Sequence, residues 1–152
     1  MPVKRCFRIF LILGCLVFLS GCDRSGQLQL LDGGESDWAS YRGKWVIINY
    51  WAEWCVPCRK EMPELNRFAE AHAEQAIVLG VNFDNLSAPE LLQAAEKMSV
   101  KFPQLLQDPA PGLAHQRPVV LPTTIIYDPQ GQLQAELVGP QTEASLQLWL
   151  QH

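Results

Sequence analysis

The sequence has no apolar run of about 20 residues, the length a helix needs to cross a hydrocarbon core of roughly 30 Å. Its longest, residues 9–19, stops well short. It carries one CxxC, with neither a second CxxC nor a histidine pair to complete it, which excludes a four-ligand structural zinc site. Arg59 rather than histidine follows that motif, which excludes covalent haem attachment. Internal repeats and low-complexity segments are missing. Basic clusters are missing after residue 8, and 16 acids stand against 12 bases, which argues against nucleic acid as a partner. Cysteine is scarce as well: five in all, too few and too unevenly placed for a domain held together by several disulfides.

What is present begins with a leader. Residues 1–8 carry Lys4, Arg5 and Arg8 and no acid, and residues 9–19 are almost wholly apolar. A basic n-region before a short apolar h-region reads as a secretory signal. Leu19-Ser20-Gly21-Cys22 resembles the lipobox of bacterial lipoproteins, in which small residues admit the backbone to a peptidase groove and the cysteine thiol takes the lipid. Acyl chains at about 0.8 kcal/mol per buried CH₂ make such an anchor effectively permanent. The expected organisation is a signal over residues 1–21, lipidation at Cys22, a polar tether over 22–27 and one folded domain over 28–152. Asp23, by resemblance to enterobacterial sorting, retains a lipoprotein in the inner membrane, facing the periplasm. Losing Lys4, Arg5 and Arg8 leaves nine bases against the same 16 acids, a formal charge of −7. Cys6 and Cys15 leave with the signal, so Cys55 and Cys58 are the two cysteines of the folded domain.

The rest alternates strands and helices, the pattern of an α/β domain. Residues 45–51 (WVIINYW) form a continuous apolar, β-branched run, as a central buried strand does. From Cys55 the pattern turns helical, with Met62, Leu65, Phe68 and Ala69 on one stripe. Residues 76–83 read as a second buried strand. Ser87-Ala88-Pro89-Glu90 has the cap, the early proline and the early acid of a helix start. A short helix broken by Pro111 and Gly112 is expected within 108–116. A strand over 123–128, a turn over 129–132, a returning strand over 133–138 and a helix over 142–150 complete the chain.

Trp54-Cys55-Val56-Pro57-Cys58 lies where the buried strand turns into a helix. A cysteine there sees free backbone N–H groups and the positive end of the helix dipole, which stabilise its thiolate. A second cysteine one turn on is within reach to resolve a mixed disulfide by intramolecular attack. Pro57 fits the first turn because its missing N–H is not needed there. A pair this close encloses too small a loop to act mainly as a staple.

The segment NYWAEWCVPCRKEMP, residues 49–63, closely resembles the active site of the TlpA/ResA-like thioredoxin family. Gly43-Lys44, Pro63, Gly80-Val81-Asn82, Leu121-Pro122-Thr123-Thr124 and the turn at 128–131 match the family in order, over roughly residues 27–152. The resemblance implies a thioredoxin-like fold, a central mixed sheet flanked by helices, with a strand–helix insertion between residues 85 and 107. It implies an extracytoplasmic, membrane-tethered disulfide reductase with no cofactor and no metal. Cys55 is then the exposed nucleophile and Cys58 the resolving thiol. Trp54 and Pro57 shape the substrate face, and Pro122, in the cis form, lies beside the pair. The Leu121 backbone is left free to join a substrate peptide in β fashion. Partners implied are protein disulfides, apocytochrome c or copper-site assembly proteins among them, and a membrane thiol-electron donor of the DsbD/CcdA type.

Two departures matter. Asn49 stands where thioredoxin keeps a buried aspartate, and asparagine cannot take up a proton. Val56 stands where some members carry a glutamate inside the CxxC. Glu53 and Glu61 read as solvated helix-face residues, so proton handling at Cys58 falls to water, and resolution slower than in thioredoxin is expected. Arg59 and Lys60 read as a solvated face, and His72, His115 and His152 carry no assigned role. The alternative is a thioredoxin-fold metallochaperone or binding module, although copper chaperones of related fold use CxxxC and a distal histidine. A peroxidase of the same fold keeps a threonine four residues before its cysteine, and Trp51 stands there.

Overall fold

The computed structural model describes residues 27–151. The expected signal, the lipidation site Cys22 and residues 22–26 of the tether lie outside them. No helix among the described residues is long and apolar enough to cross a membrane.

Five strands form one mixed sheet in the order β5-β4-β3-β6-β7. At its centre β3 (Trp45–Trp51) runs parallel to β4 (Ala76–Asn82) and antiparallel to β6 (Thr123–Tyr127). β5 (Gln104–Leu105) extends the β4 side in parallel, and β7 (Leu133–Val138) closes the other side as an antiparallel hairpin. A small hairpin of β1 (Gln27–Gln29) and β2 (Glu35–Asp37) precedes the sheet. All seven residues of β3 are buried because both of its faces are covered, which explains an apolar run without alternation. Trp45, Ile47 and Trp51 pack under the helices, in one cluster with Met62, Leu65 and Phe68 of α1 (Val56–Ala71) and Leu91 of α2 (Ala88–Lys97). Val46, Ile48 and Tyr50 point the other way, into a second cluster with Leu28, Leu79 and Tyr127. Each large side chain so buried contributes about 1.5–3 kcal/mol.

Local chemistry explains the element ends. Ser87 and Glu90 form a reciprocal capping box at the start of α2, with Pro89 in its first turn. Thr142 and Ser145 do the same for α3 (Glu143–Gln147), which runs into a 3₁₀ turn over Leu148–Gln151. Gly80 of β4 sits against Gln104: a Cβ there would lie 2.2 Å from the Gln104 side chain, so any larger residue must push that amide aside. The Gln104 amide is held in turn by the Trp51 indole N–H at 2.8 Å and by the carbonyl of Phe102. Between residues 85 and 107, where a strand–helix insertion was expected, the chain forms a helix and then a short strand, α2 and β5. The helix expected within 108–116 is only a 3₁₀ turn over Ala110–Gly112. Pro109 and Pro111 deprive that stretch of the N–H groups an α-helix needs, and the loop is fixed by side chains instead.

Candidate functional site

β3 ends at Trp51, and a turn closed by Cys55 N–H on the Ala52 carbonyl, at 3.2 Å, leads directly into α1. Cys55 caps that helix in an extended conformation, and its Sγ accepts from the Cys58 N–H at 3.2 Å. Cys55 and Cys58 are joined as a disulfide, with Cα atoms 5.3 Å apart. Cys55 Sγ therefore sits at the free N–H groups of a 16-residue helix, the place where a thiolate gains most from the dipole. Cys55 was expected to be exposed, yet the residue retains only 3% of its surface and Cys58 none. Its side chain turns inward as the helix cap and joins the apolar cluster that Leu121 packs against.

The turn itself is tied down. Arg59 donates to the Glu53 carbonyl at 2.6 Å, so its guanidinium is spent on the loop. The Glu53 carboxylate meets Lys97 of α2 at 3.2 Å on the surface. Trp54 is 62% exposed, and its indole N–H reaches both oxygens of Asp84 at 3.0 and 3.1 Å. Pro57 lies in the first turn of α1.

The cis-proline loop meets the same end of the sheet. β3 and β6 pair as far as Tyr50 with Thr123, so continuing the register places Pro122 opposite Trp51. The Leu121–Pro122 peptide is cis, the isomer implied by the resemblance. The Pro122 carbonyl accepts from Gly139 N–H at 2.8 Å, and the Thr123 hydroxyl donates to the Val120 carbonyl at 2.8 Å. Val119 is 91% exposed, and Val120, Trp54 and Val56 are exposed too. Trp54 and Val56 thus form one exposed apolar rim beside the buried disulfide, and Val119 and Val120 a second one on the cis-proline loop.

Glu61 overturns the expectation of a solvated carboxylate. It is 1% exposed, on the stripe of α1 that also buries Cys58, Met62, Leu65 and Phe68. One carboxylate oxygen accepts from Asn49 Nδ2 and the other from the Gln141 N–H, each at 2.9 Å. Burial raises its pKa to about 7, against the lowering effect of those two hydrogen bonds. Asn49 Nδ2 also reaches Thr124 Oγ1 at 3.2 Å, while Asn49 Oδ1 is buried without a partner. A carboxyl that titrates near neutrality therefore lies one helical turn from Cys58, and proton handling need not fall to water. The signal was in the periodicity: Glu61 is three residues after Cys58 and four before Leu65, on the apolar stripe.

His115, given no role above, is buried on the other face of the sheet. Tyr50 O–H donates to Asp108 at 2.7 Å, so His115 Nε2–H donates to the Tyr50 oxygen and Nδ1 accepts from Tyr127 O–H, both at 2.7 Å. Burial lowers the His115 pKa and raises that of both tyrosines, which keeps the chain neutral. Asp108 also accepts from the Ala110 N–H at 2.9 Å. These bonds anchor the loop that leads to Pro122.

Comparison with known proteins agrees with this arrangement. Residues 25–136 match the AhpC/TSA family. The chain is 32% identical over 122 residues to the thioredoxin-like protein YneN of Bacillus subtilis, covering 79% of this chain and 71% of that protein. It is 31% identical over 124 residues to the thiol-disulfide oxidoreductase ResA of Geobacillus kaustophilus, covering 80% and 70%. The fold superposes on a DsbF homologue from Corynebacterium diphtheriae with a TM-score of 0.68, at 26% identity over 82% of each chain. It superposes on StoA from Bacillus subtilis with a TM-score of 0.66, at 21% identity over 81% of this chain and 93% of that one. With its CxxC at the head of α1, the chain belongs to the AhpC/TSA family, in its TlpA/ResA-like thioredoxin branch, and is a protein thiol–disulfide oxidoreductase.

Proposed function

We propose that the protein is a disulfide reductase acting on protein disulfides outside the cytoplasm, with Cys55 as nucleophile and Cys58 as resolving thiol. The observation that carries this reading is the pairing of a helix-capping Cys55 with a buried carboxyl, Glu61, one turn beyond Cys58. The Cys55 thiolate attacks one sulfur of a substrate disulfide, breaking the S–S bond, forming a mixed disulfide and releasing one substrate thiol. Cys58 gives up its proton to the Glu61 carboxylate, directly or through a relay, and attacks Cys55 Sγ. The Cys55–Cys58 disulfide forms and the second substrate thiol leaves. Two electrons pass from the enzyme to the substrate, and a dithiol donor must restore the reduced pair. A membrane thiol-electron donor of the DsbD/CcdA type fits that need.

The apolar rims suit an extended substrate segment: exposed Trp54 with half-buried Pro57 on one side, half-buried Leu121 with buried Pro122 on the other, and the Leu121 backbone available for β-type pairing. Apocytochrome c and copper-site assembly proteins are substrates of this kind. The leader over residues 1–21 and the lipobox cysteine Cys22 support an inner-membrane lipoprotein facing the periplasm. A secreted thiol-disulfide isomerase from Corynebacterium glutamicum, 25% identical to this chain, is in keeping with an extracytoplasmic site of action.

The test is alkylation trapping of thiols in cells that make the protein. A reduced Cys55–Cys58 pair is expected, and a pair found oxidised in the steady state would make the protein an oxidase instead. Cys58→Ala is expected to accumulate mixed disulfides through Cys55; a folded variant that accumulates none would sink the mechanism.

A further inference from the structure

We propose that Arg117 is a positioning residue that locks the two apolar rims of the docking face into one register and thereby sets the affinity for protein disulfides. The proposal rests on the exchange activity of the Cys55–Cys58 pair but not on its direction.

One rim is Trp54, seated on the loop after β4; the other is Val119 to Leu121, carried by the loop before β6. Among the described residues no backbone hydrogen bond joins these two loops. The Arg117 side chain does. Its guanidinium donates to the Phe83 carbonyl and, at 3.0 Å, to Asn85 Oδ1, both on the loop after β4. It also stacks on the Phe83 ring, 4.8 Å from the centroid. That ring meets the Trp54 indole edge to face at 6.5 Å, and the next residue, Asp84, holds the Trp54 N–H. On its own loop Arg117 pairs with Asp108 at 3.4 Å, and Asp108 is fixed by Tyr50 of β3. Arg117 is two residues from Val119, so its tether acts close to the rim.

The choice of side chain follows from the geometry. A planar fork with several donors can serve Phe83, Asn85 and Asp108 together while its face covers a ring; a lysine ammonium can do only part of this. The pair with Asp108 is partly shielded from solvent, with the Arg117 side chain 33% and the Asp108 side chain 11% exposed, so it is not a freely solvated contact. Arg117 touches neither sulfur, and its influence on the reaction runs through the loops.

The test compares Arg117→Ala and Arg117→Lys with the wild type on two disulfides: insulin, which must dock, and bis(2-hydroxyethyl) disulfide, which need not. For Arg117→Ala, kcat/KM with insulin is expected to fall about tenfold, carried by KM, while the small disulfide changes less than twofold. Arg117→Lys is expected to recover only part of the loss. Trp54→Ala combined with Arg117→Ala is expected to be non-additive, because Trp54→Ala removes the rim through which Arg117→Ala acts. Equal losses on both disulfides, or a fully additive pair, would overturn the proposal. An independent readout needs no turnover. The indole N–H resonance of Trp54 is expected to move in Arg117→Lys and that of Trp51, held by buried Gln104, to stay. A Trp54 resonance that does not move would overturn the tie between the rims even if the exchange activity were absent.

Discussion

Replacing Glu61 by glutamine removes one ionisable group from beneath α1 while keeping its size. A buried carboxyl that titrates at about 7 rather than 4.5 has its folded, charged form disfavoured by roughly 3 kcal/mol, at 1.36 kcal/mol per tenfold in proton affinity. The sign follows from proton linkage. Between pH 4.5 and 7 the folded chain holds a proton that the unfolded chain has released. The stability contributed by this group is therefore complete below pH 4.5, declines as pH rises to 7, and is absent above. The glutamine variant has no such dependence. The number of unpartnered atoms does not rise: if the Asn49 amide turns over, its Oδ1 can accept from the new Nε2 and from Thr124 while the glutamine Oε1 keeps the Gln141 N–H, and Asn49 Nδ2 takes the unpartnered place that Oδ1 held. Urea unfolding of the oxidised protein, wild type and Glu61→Gln, from pH 4.5 to 8.5 measures the difference. The variant is expected to gain about 3 kcal/mol on the wild type across that range, with unchanged m-values. Stability curves that run parallel would refute both the burial argument and a Glu61 pKa near 7.

The kinetic counterpart is that Glu61→Gln slows resolution of the mixed disulfide by about tenfold or more, read by quenched-flow alkylation, with attack by Cys55 spared. His115 works in the opposite direction to Glu61: its folded pKa is depressed, so stability is expected to fall as pH drops below about 6.5, where the unfolded imidazole takes up a proton. His115→Gln should remove that slope, and a slope that survives would show that other groups cause it. Gly80→Ala drives a methyl group into the Gln104 amide and is expected to cost roughly 1–3 kcal/mol, with near-ultraviolet dichroism reporting a disturbed Trp51. No loss there would mean that Gln104 moves aside freely.

How much of this was legible in the chain depends on whether the signal is local. β3, the start of α1 and the hairpin of β6 and β7 were readable because a run of β-branched residues, a capping cysteine with an early proline, and a turn are contiguous features. The 108–117 stretch was not, because the bonds that hold it link Tyr50 to Asp108 and His115 across about 60 residues, and no spacing rule reaches that far. Asn49 and Glu61 are the instructive case. Asn49, read alone, was a missing acid, and Glu61, read alone, was a surface residue. Their side chains meet at 2.9 Å in the core. Beside the strand position where the resemblance places thioredoxin's aspartate, this chain presents a carboxyl from the facing helix. A search for the acid at one position finds it lost; a search for any acid on the stripe that buries Cys58 finds it at once.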